Sequence, residues 1–307
     1  MNILVIGGNG FIGSHLVDHL LVKGHKVRVF DVSYERYRKP LKGVDYRIST
    51  LENIPDLYES MLDIDIIFHL ASASVPSTSN IDTVSDINKN LIPTLNILNL
   101  SVKLGIKRIV YFSSGGAVYG NSLAETINEN HLLKPISSYG IVKATIEMYL
   151  SLYKRLYGIR PLILRPSNPY GPRQGHFIAQ GVISTFLRKI QTNESITIFG
   201  DGNSTKDYIY IKDLINLSYE LSISKENGIF NLGSGIGTSI NQIIDQIKKT
   251  TNSIPLISNI DKQIYDVDHF VLDISKTSDI LGEYPLTSLA DGVSKTWEWL
   301  NSNQKLL

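Results

Sequence analysis

Short apolar runs alternate with segments of helical periodicity along the first half of the chain. The run Asn2–Ile6 is apolar on both faces and rich in β-branched residues, which predicts a buried parallel strand. Apolar residues then recur at helical spacing over 11–21, and Gly24 is placed to end that helix. The run Lys26–Asp31 predicts the next strand, so that the chain opens with one βαβ unit.

The same alternation continues beyond this unit. Further strands are predicted at 44–48, 64–70 and 109–112, and helices at 54–62, at 83–104 and from Tyr139 to Leu156. Pro93 either bends the second of these helices or is accommodated by packing. The pattern predicts an α/β fold with a doubly wound parallel sheet of the Rossmann type.

The predicted domains are a cofactor-binding domain and a smaller α/β substrate lobe. Residues 1–167 form the first, and strand-like runs at Asp207–Ile211 and Ile229–Leu232 suggest that 207–237 return to it. The rest of 168–307 forms the substrate lobe.

Composition narrows the class of protein. The 307 residues are 42% hydrophobic, and 30 basic against 29 acidic residues leave a net charge of +1 with no basic block, so neither nucleic acid nor an anionic membrane is implied. Cysteine is absent, which excludes disulfides and thiolate catalysis, and the seven histidines form no plausible metal cluster. The start lacks a signal-peptide pattern, and no apolar run reaches the roughly 18 residues that a bilayer requires. We expect a cytoplasmic enzyme without a metal.

A glycine turn follows the first strand. Gly7 permits the tight bend, Gly10 allows the backbone to approach a pyrophosphate, and Gly13 allows the helix to lie close to the strand. Asp31 ends the second strand, where it can bind a ribose 2′-hydroxyl and would repel a 2′-phosphate. The sequence therefore predicts a dinucleotide site and favours NAD over NADP, although Arg36 and Arg38 just beyond weaken that preference.

Other strand ends carry further candidates. The third strand leads to Leu51, where the adenine end is expected, and the fourth leads through Leu70 into the small residues Ala71 and Ala73. His69 within that fourth strand is interpreted as a core histidine. The candidate cofactor-binding residues also include Phe11 and Ile12 after the glycine turn, and Ser113 after the fifth strand.

Tyr139 and Lys143 lie four residues apart, on one face of a predicted helix. An ammonium one turn away and a nearby nicotinamide cation are both expected to lower the pKa of the tyrosine from its usual value of about 10. The arrangement suits removal of a proton from a hydroxyl whose carbon gives up hydride.

Together these residues resemble the extended short-chain dehydrogenase/reductase family, in particular its nucleotide-sugar epimerases and dehydratases. The resemblance covers nearly the whole chain. It is carried by GGNGFIGSHL at the start, FHLAS at the fourth strand, Asn90 to Asn96, FSSGGAVYG at 112–120, YGIVK at 139–143, RPSNPYGPRQ at 165–174, DYIYIKDL at 207–214 and LDISKTSDILGEYPLTSL near the end.

The resemblance implies roles for individual residues. Tyr139 would be the catalytic acid and base, and Lys143 would bind the nicotinamide ribose and tune Tyr139. Asn168 would hold the sugar nucleotide, although an Asn-Pro turn explains it equally well, and 176–200 would close over the nucleotide. The further cofactor residues that it implies are Asn90, Ala71, Ala73, Pro166 and Ser113. A homodimer through the helices at 84–104 and 139–157 is likewise expected by resemblance.

Three positions depart from the family pattern. The Ser or Thr expected four residues before Tyr119 is replaced by Gly115, and Ser114 is the nearest substitute. Two arginines expected at the diphosphate are replaced by Lys206 and Gln263. Arg173 is the candidate that compensates.

The leading functional hypothesis is a nucleotide-sugar 4-epimerase of polysaccharide biosynthesis, acting on a UDP-hexose or UDP-N-acetylhexosamine with tightly bound NAD. Gly115 and the missing arginines leave open an NAD(P)H-dependent 4-ketoreductase of a deoxy-4-keto nucleotide sugar. A dehydratase is less favoured because Gly116 and Ala117 stand where dehydratases carry Asp-Glu. A non-catalytic NAD-binding sensor is disfavoured by the intact Tyr139 and Lys143.

Overall fold

The computed structural model describes residues 1–175, 181–261 and 268–303. Its strands are β1 (Asn2–Ile6), β2 (Lys26–Asp31), β3 (Val44–Ile48), β4 (Ile66–His69), β5 (Arg108–Phe112), β6 (Arg160–Pro166), β7 (Asn168–Tyr170), β8 (Ile196–Phe199), β9 (Thr205–Tyr210), β10 (Gly228–Leu232), β11 (Gly237–Ser239), β12 (Ile257–Ile260) and β13 (His269–Phe270). Its helices are α1 (Phe11–Val22), α2 (Ile54–Met61), α3 (Pro76–Ser79), α4 (Thr83–Asp86), α5 (Ile92–Leu104), α6 (Gly115–Tyr119), α7 (Ser138–Tyr157), α8 (Val182–Gln191), α9 (Ile211–Ile223), α10 (Ile240–Thr251), α11 (Ser275–Leu281) and α12 (Leu289–Ser302).

A seven-stranded sheet is the centre of the first compact unit. Its strand order is β10-β6-β5-β4-β1-β2-β3, and the pairs from β6 to β3 are all parallel. The chain therefore reverses its direction of travel across the sheet between β3 and β4, as a doubly wound sheet requires. The predicted fold class is confirmed, and the predicted strands match within two residues at each end.

Apolar side chains of the sheet pack against helices. Leu4 and Ile67, from neighbouring strands, share one buried cluster with residues of α2 and α5. Ile109 and Ile163 share a second cluster with residues of α5 and α7. This packing fixes the helix that carries Tyr139 against β5 and β6.

The helical segment that begins at Thr83 is interrupted by a π-helical stretch, Ile87–Leu91, between α4 and α5. Pro93 stands in the first turn of α5, where its missing N–H costs least, and it is buried. Of the two outcomes predicted for Pro93, the structure shows accommodation, with the wider π turn directly before it.

A second unit holds two smaller sheets. The second unit comprises residues 121–131, 166–214 and 231–307. The first unit comprises residues 1–120, 132–165 and 215–230. One sheet contains β11, β9 and β13 with β7 paired to β9, and the other contains β12 and β8. This division differs from the expected one: the run at 207–211 lies mostly in β9 of the second unit, whereas β10 joins the seven-stranded sheet.

Two surface properties bear on the expected partners. Within the described residues no helix combines the length and apolarity needed to cross a membrane. Ile141, Met148, Leu152 and Leu156 of α7 are exposed. These side chains lie on one of the two helices expected at a dimer interface, and the homodimer stays a prediction.

The contact between α1 and the end of β1 generates a stability prediction. A Cβ on Gly13 would overlap Gly7 O and lie 2.7 Å from Gly8 Cα, whereas a Cβ on Gly10 would meet only Gly7 O, at 3.4 Å. Because both groups that Gly13 would strike are backbone, we expect Gly13→Ala to lower the free energy of unfolding by about 1–3 kcal/mol. The matched Gly10→Ala variant should change it by less. Urea denaturation of both variants measures this, and equal stabilities would contradict the role given to Gly13.

Candidate active site

The glycine turn has the geometry predicted for it. Gly7 has a φ of +83°, which favours glycine, and its Cβ would lie 2.7 Å from Ala71 N at the end of β4. Ser14 N donates to Gly10 O, so that α1 begins directly after the turn. The turn thus leaves the first N–H groups of α1 facing the carboxyl edge of the sheet, where an anion binds most favourably.

Asp31 is held at the end of β2 beside this turn. Its carboxylate accepts hydrogen bonds from Asn9 N (2.9 Å) and Ser33 N (3.3 Å). Burial raises the pKa of Asp31, while these backbone bonds and the charge of Arg36 act in the opposite direction. Arg38, which the sequence left available to a 2′-phosphate, forms ion pairs with Asp18 and Glu35.

The residues at this edge of the sheet have the properties that a bound dinucleotide requires. The turn excludes side chains at Gly7 and Gly13, and an acceptor carboxylate lies next to it at Asp31. These are the two features that a diphosphate and an adenosine ribose need. The residues that would hold NAD are therefore those of the turn together with Asp31.

The remaining cofactor candidates lie at neighbouring strand ends. In the register of the sheet, Ile6 pairs with both Phe30 and His69, and His69 pairs with Tyr111, so these strands end side by side. Leu51 and Ala71 pack against the same core cluster. The candidates on this edge are Phe11 and Ile12 at the start of α1, Leu70, Ala71 and Ala73 after β4, Ser113 after β5 and Pro166 at the end of β6.

Asn90 lies in the π-helical stretch and connects it to the loop after β4. Its Oδ1 accepts from Ala73 N at 2.8 Å, and its Nδ2 donates to Asp86 Oδ1 at 2.7 Å. The sequence predicted Asn90 and Ala73 as neighbours of the cofactor, and the structure brings them into direct contact. A π-helical turn at such a position is typical of functional sites.

The catalytic candidates meet at the first turns of α7. Ser114 hydrogen-bonds with the phenol of Tyr139, and Lys143 Nζ lies 5.6 Å from the centre of the Tyr139 ring. Lys143 Nζ also donates to Phe112 O at 2.8 Å, which anchors it to the end of β5. Ser114 is the N-cap residue of α6, yet its side chain makes no capping hydrogen bond, so that its hydroxyl serves Tyr139 instead.

The pKa values of this pair differ from the sequence-based expectation. Burial of its phenol raises the pKa of Tyr139 to about 12, although the residue as a whole is half-buried, and the charge of Asp86 adds to the rise. Burial lowers the pKa of Lys143 to about 8. In the protein without its cofactor the pKa of Tyr139 is therefore raised rather than lowered, because desolvation outweighs the hydrogen bond from Ser114. The hydrogen bond from Ser114 acts in the predicted direction.

A buried ion pair that sequence reasoning missed lies one turn further along α7. Glu147 pairs with Arg165 (Oε2 to Nη2, 2.5 Å), accepts from Ser113 Oγ at 2.5 Å, and its partner Arg165 donates to the Tyr119 hydroxyl at 2.8 Å. All four residues are buried. The network connects the end of β5 with α6, α7 and β6. The one feature of the sequence that could have indicated it is the acidic residue four positions after Lys143.

His69 behaves as the predicted core residue. It is buried, its Nε2 lies 2.9 Å from Thr94 Oγ1, and burial lowers its pKa to about 3. In the part of the chain that the structure describes, no three His, Asp or Glu side chains are grouped as a metal site would require.

The three substrate-binding candidates lie in the second unit. Asn168 begins β7, and its Nδ2 donates to Asp207 O at 2.8 Å, so it ties two strands together rather than forming a turn. Arg173 has a φ of +72°, a conformation that residues other than glycine adopt only with strain. Lys206 is a half-buried residue of β9. Gln263 and part of 176–200 lie outside the described residues.

Comparison with known proteins places these features in a family. Residues 3–233 match the NAD dependent epimerase/dehydratase family. A Methanocaldococcus jannaschii protein named provisionally as a UDP-glucose 4-epimerase is 36% identical over 99% of both chains, and an Escherichia coli dTDP-4-dehydro-6-deoxyglucose reductase is 32% identical over 95% of both. A crystal structure of Thermotoga maritima UDP-glucose 4-epimerase with UDP-glucose has a TM-score of 0.93 at 34% identity and covers 99% of this chain and 100% of that one. The chain is a member of the NAD-dependent epimerase/dehydratase family of enzymes, with NAD as its cofactor.

Proposed function

We propose that the protein is a nucleotide-sugar 4-epimerase that acts on a UDP-hexose or UDP-N-acetylhexosamine through a 4-keto intermediate. The observation that carries the proposal is the placement of Tyr139, which hydrogen-bonds with Ser114 and lies one helical turn from Lys143. The similarity to UDP-glucose 4-epimerases over almost the whole chain supports the substrate class. We assign it to the cytoplasm and to polysaccharide biosynthesis, and expect a homodimer.

The reaction requires that one group remove and return a proton at a single sugar oxygen. NAD, held by the glycine turn and Asp31, would supply hydride acceptance and return at C4, and its positive nicotinamide ring would favour the phenolate of Tyr139. Tyr139 takes the proton of the 4-hydroxyl, which leaves a 4-ketone, and gives it back to the ketone oxygen when C4 is reduced on its other face. Ser114 orients the phenolic oxygen, and Lys143 holds the ribose while its charge stabilises the phenolate.

Three further residues would hold the nucleotide end of the substrate. We assign the sugar nucleotide to Asn168, and its diphosphate to Arg173 and Lys206. The left-handed backbone of Arg173 supports this role, since strain of that kind is retained mainly where a side chain has a function. Arginine supplies the bidentate contacts that Lys206 lacks.

A second candidate is the NAD(P)H-dependent 4-ketoreductase of a deoxy-4-keto nucleotide sugar. It is favoured by the 32% identity to the Escherichia coli reductase, over nearly the same length as the match to the epimerases. The same Tyr139 and Lys143 would then protonate the ketone oxygen in one direction only. An epimerase must keep its cofactor through both half-reactions, whereas a reductase must exchange it.

Cofactor retention separates the two candidates. We expect the purified protein to release close to one NAD per chain on denaturation, and to interconvert UDP-glucose and UDP-galactose without added cofactor. High-performance liquid chromatography of the supernatant and of the sugar nucleotides measures both. Protein that is purified without cofactor and oxidises NADPH with a 4-keto sugar nucleotide would establish the reductase instead.

Tyr139→Phe tests the acid and base. The variant keeps the ring but loses the proton-carrying oxygen, so we expect kcat to fall at least 100-fold while the bound NAD per chain stays within twofold of the wild type. Tyr153→Phe on the same helix is a control, because the Tyr153 hydroxyl donates to Asn99 away from these residues. Activity retained in Tyr139→Phe would remove Tyr139 from its role.

Ser114→Ala and Gly115→Ser test the shifted hydroxyl. Loss of the Ser114 hydroxyl leaves the phenol without that hydrogen bond, and we expect kcat to fall about 10- to 100-fold with little change in stability, since the hydroxyl makes no capping bond. Gly115→Ser should be neutral, or should restore activity in the Ser114→Ala background. Steady-state rates of the three variants measure this, and wild-type activity in Ser114→Ala would show that the reaction does not use this hydroxyl.

A further inference from the structure

Asp86 is a buried carboxylate that the proposed reaction does not use. Only 4% of the residue is exposed, and it ends α4 just before the π-helical stretch. Its Oδ1 accepts hydrogen bonds from Ser74 Oγ at 2.6 Å and Asn90 Nδ2 at 2.7 Å, and its Oδ2 accepts from Ser138 Oγ at 2.7 Å. Burial of a carboxylate is costly unless its oxygens are satisfied, and these three donors satisfy both.

The three donors come from different elements of the site. Ser74 follows Ala73 in the loop after β4, Asn90 holds that loop through Ala73 N, and Ser138 directly precedes Tyr139. A second bond, from Ser138 N to Asn80 Oδ1 at 2.9 Å, fixes the same start of α7. Asp86 is therefore the common acceptor for the loop and helix expected at the cofactor and for the helix that carries the phenol.

Asp86 also shares a small cavity, of about 10 Å³, with the catalytic pair. Its walls include Asp86, Asn90, Tyr111, Tyr139 and Lys143. The charge of Asp86 raises the pKa of Tyr139 and Lys143 on α7 and of Tyr111 on β5. The charge of Glu147 also raises the pKa of Lys143. His69 on β4 is electrostatically coupled to Lys143. The carboxylate raises the pKa of both Tyr139 and Lys143.

We propose that Asp86 is a positioning residue that joins the loop after β4 and Asn90 to the start of α7, so that the nicotinamide end of the cofactor site and Tyr139 are aligned as one unit. The effect of Asp86 on turnover that we expect rests on the proposed function. Its geometric part concerns only the contacts of Asp86 with Ser74, Asn90 and Ser138.

Asp86→Asn, compared with Asp82→Asn, tests the proposal in the purified full-length protein. Asn at position 86 offers one acceptor oxygen and turns an NH2 towards donors, whereas Asp82 is an exposed helix N-cap at which Asn is equally suitable. We expect Asp86→Asn to lower kcat for UDP-glucose about 10- to 100-fold, as small misplacements of a catalytic group do, with KM within about twofold. Asp82→Asn should match the wild type.

The pH profile distinguishes positioning with charge from a merely structural role. Removal of a negative charge favours the deprotonated forms of Tyr139 and Lys143, so both limbs of the kcat profile should move to lower pH in Asp86→Asn. A lower kcat from general loosening would leave the limbs in place. A folded Asp86→Asn with wild-type kcat and limbs would overturn the proposal.

A second variant tests the proposal if Asp86→Asn does not fold. Ser138→Ala removes one donor while the bond of Ser138 N to Asn80 remains, and we expect a smaller fall in kcat that Ser138→Thr restores. Wild-type kcat in a folded Ser138→Ala would count against the proposal. If the wild type converts no nucleotide sugar, the proposed function has failed. Asp86 is then tested by the amount of NAD that each variant retains after gel filtration. Less NAD in Asp86→Asn than in Asp82→Asn supports the inference, and equal retention overturns it.

Discussion

Desolvation of the phenol and amine proposed for catalysis is the constraint on which this site depends. Tyr139 and Lys143 would titrate within about half a unit of each other in water, yet burial moves their pKa values apart, to about 12 and about 8. Both shifts favour the neutral form, whereas the proposed chemistry needs the charged forms. The neighbouring groups must therefore compensate. Ser114 does so at Tyr139, whereas Phe112 O and the carboxylates of Glu147 and Asp86 do so at Lys143.

The parallel sheet is what makes this compensation possible. Because β1, β4 and β5 are parallel neighbours that end at one edge, the carbonyl of Phe112, the turn at Gly7 and the loop at Ala73 lie at neighbouring positions. Several polar side chains beside this edge, among them Ser113, Asp86 and Glu147, are buried and cannot rely on water. Glu147 with Arg165, and Asp86 with its three donors, satisfy them in two separate networks beside the same helix.

The sequence predicted the parts of the fold that depend on local pattern. Short apolar runs became β1, β4 and β5, and the glycine spacing marked the turn because backbone contacts at Gly7 and Gly13 leave no room for a side chain. The run that forms β9 was expected to return to the cofactor domain but pairs in a smaller sheet, since an apolar run indicates that a strand is buried but not which strands it pairs with. Asp86 and Glu147 were missed because an isolated acid on a predicted helix is usually exposed, and only the tertiary structure shows that these two are not.

The backbone around Ser114 explains how Gly115 can stand where the family carries a hydroxyl. A serine at the start of a helix ordinarily caps it, a contribution of about 0.5–2 kcal/mol. At Ser114 the backbone is extended, with φ −157° and ψ 117°, and the hydroxyl bonds to Tyr139 rather than to the backbone of α6. The short helix α6 therefore gives up that stabilisation, and its retention depends on packing of the buried Val118 and Tyr119. The position of a catalytic hydroxyl along the chain is thus less constrained than its position in space, provided that the neighbouring backbone does not need it.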